Sequence, residues 1–240
     1  MQIATQNTLR DLAVAVPGST RVFEKFGLDY CCGGAQSLAE ACVKARVTSQ
    51  AVLAELEQAQ AAKPAQTDWA AQPVSALIEY VLATHHVFTR NELERLDTLL
   101  AKVRSVHNER HPELVKAEAL FHLMKQELLQ HLFKEERMLF PYVKELETAI
   151  EHHAPAPHAM FGTVRNPIRM MSLEHETAGE MLREMRRVTR DYALPPDACA
   201  SYRALYQALQ AFEADLHEHI HLENNVLFPR AVALEMQAGL

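Results

Sequence analysis

Glycine is scarce in this chain, with seven residues in 240, and aromatic residues make up only 7%. Apolar residues recur every three or four positions rather than every two, which excludes a β-rich fold and predicts an all-α one. No apolar run approaches the ~18 residues of a membrane-spanning helix. A basic excess is also missing. Lys and Arg total 24 against 31 Asp and Glu, a net charge of −7, which argues against nucleic acid or an anionic membrane as partner. Four cysteines are too few for a disulfide framework. The start, MQIATQNTLRDLAV, has no charged stretch ahead of an apolar one, so no secretion signal is expected and the reducing cytoplasm is the expected setting. Hydrophobic residues, at 48%, suffice for a core. What the chain has in excess is histidine, with thirteen residues.

Three units are expected along the chain. Residues 1–58 form a small unit of short helices around a CCGG turn. Residues 59–73, rich in Ala, Gln and Pro, read as a flexible linker. Four long helical patterns follow in 74–240, over about Val74–His107, Pro112–Glu147, Val164–Tyr192 and Asp197–Met236, with prolines in the breaks. Long helices with mostly short connections predict an up-down four-helix bundle. The second and fourth patterns carry an echo: HLFKEERMLFP at 131–141 and HIHLENNVLFP at 219–229 share His, Glu, Leu, Phe and Pro at five of eleven positions, so the bundle reads as two related helix pairs.

Each long pattern has a clean apolar stripe of the kind that faces a bundle core. The second, for example, runs Phe121, Met124, Leu128, His131, Glu135, Met138, Tyr142, and the third ends at Met185, Thr189, Tyr192. Few ionisable residues lie on these stripes: His86, His131, Glu135, His175, His219 and Glu223, with His107 at the far end of the first. An uncompensated buried polar group costs ~1–7 kcal/mol and a lone carboxylate far more, against a total stability of ~5–15 kcal/mol. A metal centre compensates such groups together. His and Glu four apart share a helix face. Four imidazoles and two carboxylates exceed one tetrahedral zinc and suit two octahedral first-row ions, with both glutamates bridging and positions left open. Such ligation fits iron, and also manganese or zinc. His85, one position off the stripe, and His217 and His221, beside His219, are expected to point elsewhere. His152, His153 and His158 are expected in solvent. His107 is kept as a pocket residue behind the ligands.

The segment DYCCGG at 29–34 leaves two readings. Adjacent Cα atoms lie ~3.8 Å apart, below the ~4.4 Å usual for disulfides, so a stable Cys31–Cys32 bond is not expected. Gly33 and Gly34 permit positive φ or close backbone approach, and a nearby helix start would lower a thiol pKa. The pair is either buried turn chemistry or an accessory redox or iron-handling pair serving the bundle. Cys42 and Cys199 are assigned no role.

On LDYCCGG with SLAEAC, His86-x3-Arg90-x2-Leu93, VHNERHPEL at 106–114, HLFKEERMLFP, RMMSLEHE and HIHLENNVLFP, the chain resembles the Repair of Iron Centers family, the ScdA/YtfE-like di-iron proteins with a hemerythrin-like bundle, over almost its whole length. The resemblance implies ligands at His86, His131, Glu135, His175, His219 and Glu223, the set the stripes pick out. It implies two iron ions, oxo- or hydroxo-bridged, and repair of iron–sulfur clusters damaged by nitrosative or oxidative stress, by supply of iron. It also implies binding, scavenging or reduction of nitric oxide, or binding of oxygen. Expected partners are damaged iron–sulfur proteins, for a monomer or homodimer. The chain departs from the family at Thr89, where many relatives carry a second histidine, and in a longer loop before the third long helix. Reversible gas storage as in hemerythrins would use five histidines, where the stripes hold four. A ferritin-like oxidase would use Glu-x-x-His, where this chain has His-x3-Glu.

Overall fold

The computed structural model describes residues 2–62 and 67–239. Among these the fold is all-α, with one isolated bridge, Thr8 to Ser37. Four short helices make the N-terminal unit: α1 (Leu9–Ala15), α2 (Ser19–Phe26), α3 (Leu38–Ala45) and α4 (Ser49–Ala62). Ser37 starts α3 through a capping box with Glu40, which satisfies donors the first turn leaves free. Gly27, at φ 64°, ends α2 in the left-handed region that side chains disfavour. Leu9, Leu12, Phe23, Leu38, Val52 and Leu56 are fully buried in this unit's own core.

Four rods form the bundle. The first is α5 (Val74–Val81), a π-turn (Leu82–His86) and α6 (Val87–His107); the second is α7 (Glu113–Lys134), a π-turn (Glu135–Leu139) and α8 (Phe140–Glu151). The third is α9 (Arg165–Val188), and the fourth is α10 (Ala200–Leu222), a π-turn (Glu223–Leu227) and α11 (Phe228–Gln237). α6 packs on α7 and α10, and α7 on α9. The core is split in two. One apolar cluster runs from Leu93 to Val103 with its facing residues, and another gathers Val74–Val81, Leu139–Leu146 and Leu222–Ala231. Between them lies the layer of histidines and glutamates.

Several sequence expectations are corrected. The linker is shorter than 59–73, because α4 continues to Ala62; residues 63–66 lie outside the described residues. Its last part is also tied down, since Arg230 donates to the carbonyls of Trp69 and Gln72 at 2.7 and 2.6 Å. Met138 is not in the core: it is 48% exposed while Leu139 is fully buried. The π-turn adds one residue to a turn and moves the buried stripe by one position. α9 stops at Val188, because Arg190, Asp191 and Tyr192 take φ of 53°, 59° and 58°, which no right-handed helix admits. Tyr192 nevertheless turns back into the core.

Candidate metal centre

Each repeated His-x3-Glu segment ends α7 or α10 and opens a π-turn. In each copy the proline two residues after the π-turn, Pro141 or Pro229, has no N–H and crowds the carbonyl of the preceding turn. The backbone answers with wider bonds, Phe140 N–H to the Glu135 carbonyl and Phe228 N–H to that of Glu223. No proline accompanies the third π-turn, at Leu82–His86, and nothing in its sequence explains it. All three turns carry a residue of the polar layer.

The structure brings His86, His131, Glu135, His175, His219 and Glu223 together, all buried and both glutamates fully so. They fall into two groups that share both carboxylates. The donor atoms of His86, His219, Glu135 and Glu223 lie within 4.8 Å of one another, and so do those of His131, His175, Glu135 and Glu223. Glu135 turns Oε2 to His86 Nε2 at 3.4 Å and Oε1 to His131 Nε2 at 3.3 Å. Glu223 turns Oε1 to His219 Nε2 at 3.0 Å and Oε2 to His175 Nε2 at 3.2 Å.

All four imidazoles therefore point Nε2 inward, and three are held from behind through Nδ1. Glu136 Oε1 stands 2.8 Å from His86 Nδ1, Glu174 Oε2 2.8 Å from His131 Nδ1, and Asn224 Oδ1 2.9 Å from His175 Nδ1. Arg90 and Lys134 in turn hold Glu136 and Glu174. Orientation of ligating histidines by such acceptors is the usual arrangement around metals. The sequence stripes missed these partners, but a signal exists. Glu136 and Asn224 each follow the glutamate of a repeat copy, and Glu174 immediately precedes His175.

The electrostatics call for a cation. Burial opposes charge on His131, yet Glu135 beside it and Glu174 behind it raise its imidazole to about 10. Burial would push the Glu223 carboxyl up, but His219 and His175 hold it well below the usual range. Burial keeps the His219 imidazole down. His86 Nε2, both oxygens of Glu135 and Glu223 Oε2 are buried without a hydrogen-bond partner. Six-coordinate bonds of ~2.1 Å set neighbouring donors ~3.0 Å apart, and the observed separations are close to that. The donor set fits two metal ions.

Other expected positions separate. His85 is buried outside the six-residue cluster, its ring stacked on His219 at 5.4 Å and its Nδ1 3.0 Å from Asp215. His217 and His221 point away, to Glu24 and Asn225, and His152, His153 and His158 are exposed. His107 is not behind the ligands. It ends α6, and the 21 residues from Val87 to His107 put it about 30 Å along the bundle at ~1.5 Å per residue.

The CCGG turn sits against the centre. Cys32 Sγ lies 3.5 Å from the His175 carbonyl, and Asn224 donates to the Cys31 carbonyl at 3.3 Å. Asp29 Oδ1 caps the turn by accepting from Cys32 N–H and Gly33 N–H, both at 3.0 Å. The glycines serve close approach rather than positive φ: a Cβ on Gly33 would meet the Asp29 carbonyl at 2.6 Å, and one on Gly34 the Tyr30 carbonyl at 2.9 Å. α3 starts only at Leu38, so no helix end activates the thiols. The Cys31 thiol is instead pushed well up, by its contact with Cys32 and then by burial.

Two carboxylates shared by two histidine pairs inside a four-rod bundle define a hemerythrin-like cation-binding protein. Residues 77–231 match the hemerythrin HHE cation binding domain family, and residues 5–60 match the ScdA N-terminal domain, a domain of unknown function. The chain is 36% identical over 228 residues to the iron-sulfur cluster repair protein YtfE of Citrobacter koseri, covering 95% of this chain and 97% of that one. It is 35% identical to the protein of that name from Escherichia coli over the same shares, and 36% identical to that of Musicola paradisiaca over 95% and 96%. The chain belongs to the YtfE family of hemerythrin-like proteins.

Proposed function

We propose that this protein holds two iron ions and helps repair iron–sulfur clusters damaged by nitrosative or oxidative stress, by supplying iron to the damaged proteins. The observation that carries this is the division of Glu135 and Glu223, each with one oxygen toward His86 and His219 and the other toward His131 and His175. Bridging carboxylates between two three-dimensional halves of one site fit that split. Imidazole with carboxylate suits iron, and the relatives are named for iron–sulfur cluster repair. Bound iron would supply redox chemistry and open coordination positions.

The chain's own residues hold and shield the site. Glu136, Glu174 and Asn224 keep the imidazoles turned inward, and the two apolar clusters keep water from above and below. A cavity of about 40 Å³ reaches His131 and His175 between Met124, Leu128, Ala178 and Met181. It gives a small molecule access to that side of the cluster, which fits nitric oxide or oxygen as a second substrate class and binding or reduction of nitric oxide as the second reading. Cys31 and Cys32, on the turn beside His175, are the accessory pair in either case.

Metal analysis with an optical spectrum, before and after nitric oxide, tests the centre: about two irons per chain are expected. Glu135→Leu is expected to lose both irons and to stop rescuing cluster enzymes in cells exposed to nitric oxide. Full rescue by that iron-free variant would sink the repair reading.

A further inference from the structure

At the end of the bundle remote from the histidine–glutamate layer, two short segments converge. His107 ends α6, His111 follows one turn later, and Asp197 and Cys199 lead into α10, with Cys199 at its N-cap. We propose that His107, His111, Asp197 and Cys199 form a second metal site, for one divalent cation of the zinc class.

Three of the four donors are already gathered, and Cys199 adjoins them through His107. His107 Nε2 lies 3.2 Å from Cys199 Sγ, and His111 Nε2 lies 2.9 Å from Asp197 Oδ1. Donor atoms of His107, His111 and Asp197 all fall within 4.8 Å of one another. Zinc bonds of ~2.0 Å to nitrogen or oxygen and ~2.3 Å to sulfur separate tetrahedral donors by ~3.3–3.5 Å. The two close pairs need to part by only a few tenths of an ångström, while Cys199 Sγ, outside that three-residue group, has to swing from His107 toward His111 and Asp197 to complete the set. Two imidazoles, a carboxylate and a thiolate are a four-donor set of borderline softness, which selects zinc over the harder cations that prefer all-oxygen sites.

The surroundings orient these donors as they would around a metal. His111 Nδ1 is 3.2 Å from Glu113 Oε1, which leaves Nε2 for the site, the carboxylate–histidine arrangement typical of zinc ligands. Arg110 takes the other oxygen of Asp197 at 3.1 Å, leaving Oδ1 free to ligate. The buried ring of Tyr202 meets both imidazoles edge-on, with centroids 5.2 and 5.5 Å away. Cys199 is exposed, so an ion can reach the site from solvent. When bound it would bolt the turn between α6 and α7 to the start of α10, some 90 residues later in the chain.

The test uses the full chain carrying its bundle metal, equilibrated with zinc alone, desalted and counted. One zinc is expected beyond the bundle metal, with the iron count unchanged. Cys199→Ser and His111→Ala should each weaken that zinc at least tenfold, and Glu113→Gln by about 10–100-fold. Cobalt in place of zinc should give thiolate charge-transfer absorption that Cys199→Ser abolishes and Cys31→Ser/Cys32→Ser retains. Cys199 is exposed and His111 and Glu113 are half-buried, and circular dichroism checks that each variant is folded. No extra zinc, zinc that enters only by displacing iron, or extra zinc that survives in a Cys199→Ser/His111→Ala variant overturns the proposal.

Discussion

Glu174 lies outside the six clustered donors, yet it holds one of them, His131, in place. It is held down to about 2, first by its hydrogen bond with His131 and then, against burial, by Lys134. An anion behind Nδ1 makes the opposite nitrogen a better donor and keeps it aimed inward. Glu174→Ala is therefore expected to weaken metal binding by about 10–100-fold with every direct ligand intact, as measured by competition with a chelator. An unchanged affinity would show that the rods alone position His131. Periodicity could not flag Glu174, Glu136 or Asn224, because each lies one step from a stripe and reaches a histidine on a different rod.

At the scale of elements, rods are joined by caps as well as by apolar faces. Glu147 on α8 accepts from the N–H groups of Val74 and Ser75 at 2.6 and 2.8 Å, closing the first turn of α5, whose own N-cap is Pro73. Burial would raise the Glu147 carboxyl, but these hydrogen bonds, led by Ser75, lower it. A depressed carboxyl contributes stability that is present above its ordinary value of 4.5 and is lost as pH falls through the lowered one. Glu147→Ala should cost ~1 kcal/mol at neutral pH, and the gap should close in acid. Thermal unfolding of both proteins at pH 7 and at pH 3 checks this; a gap no smaller at pH 3 than at pH 7 refutes the capping role. The π-turns belong to this scale too. The prolines behind two of them are plain in the sequence, yet the extra residue they introduce shows only when Met138 turns outward and Leu139 inward.

For the molecule as a whole, the contact between the N-terminal unit and the bundle matters most. Asn225, in the last π-turn, accepts from Arg10 at 2.8 Å and donates to the Tyr30 carbonyl at 3.1 Å. Its neighbour Asn224 links the Cys31 carbonyl to His175. Asn225→Ala should loosen the 28–36 turn from the bundle by ~1–3 kcal/mol, seen as faster hydrogen exchange there with α1–α4 still folded. Cys31→Ser/Cys32→Ser should leave the metal content unchanged and, on the proposed function, lose part of the repair activity, because the thiols adjoin the histidine–glutamate cluster without joining it. Full activity would return the pair to turn chemistry.

The helical class, the four rods and the six ionisable residues on their faces were legible in sequence, because a helix repeats every ~3.6 residues and a buried charge needs a partner. The repeated His-x3-Glu segment also exposed the pairing of the second and fourth rods. Sharing of both glutamates followed from the donor count, but which histidines pair across them, His86 with His219 and His131 with His175, was not legible, since it depends on how rods rotate after a π-turn. Nor was the seat of the CCGG turn against His175, which rests on hydrogen bonds between residues 193 positions apart. His107 was misplaced for a related reason: stripe periodicity fixes which way a side chain faces, but only packing sets which end of a rod meets which neighbour. There it met Asp197 and Cys199 instead of the glutamates.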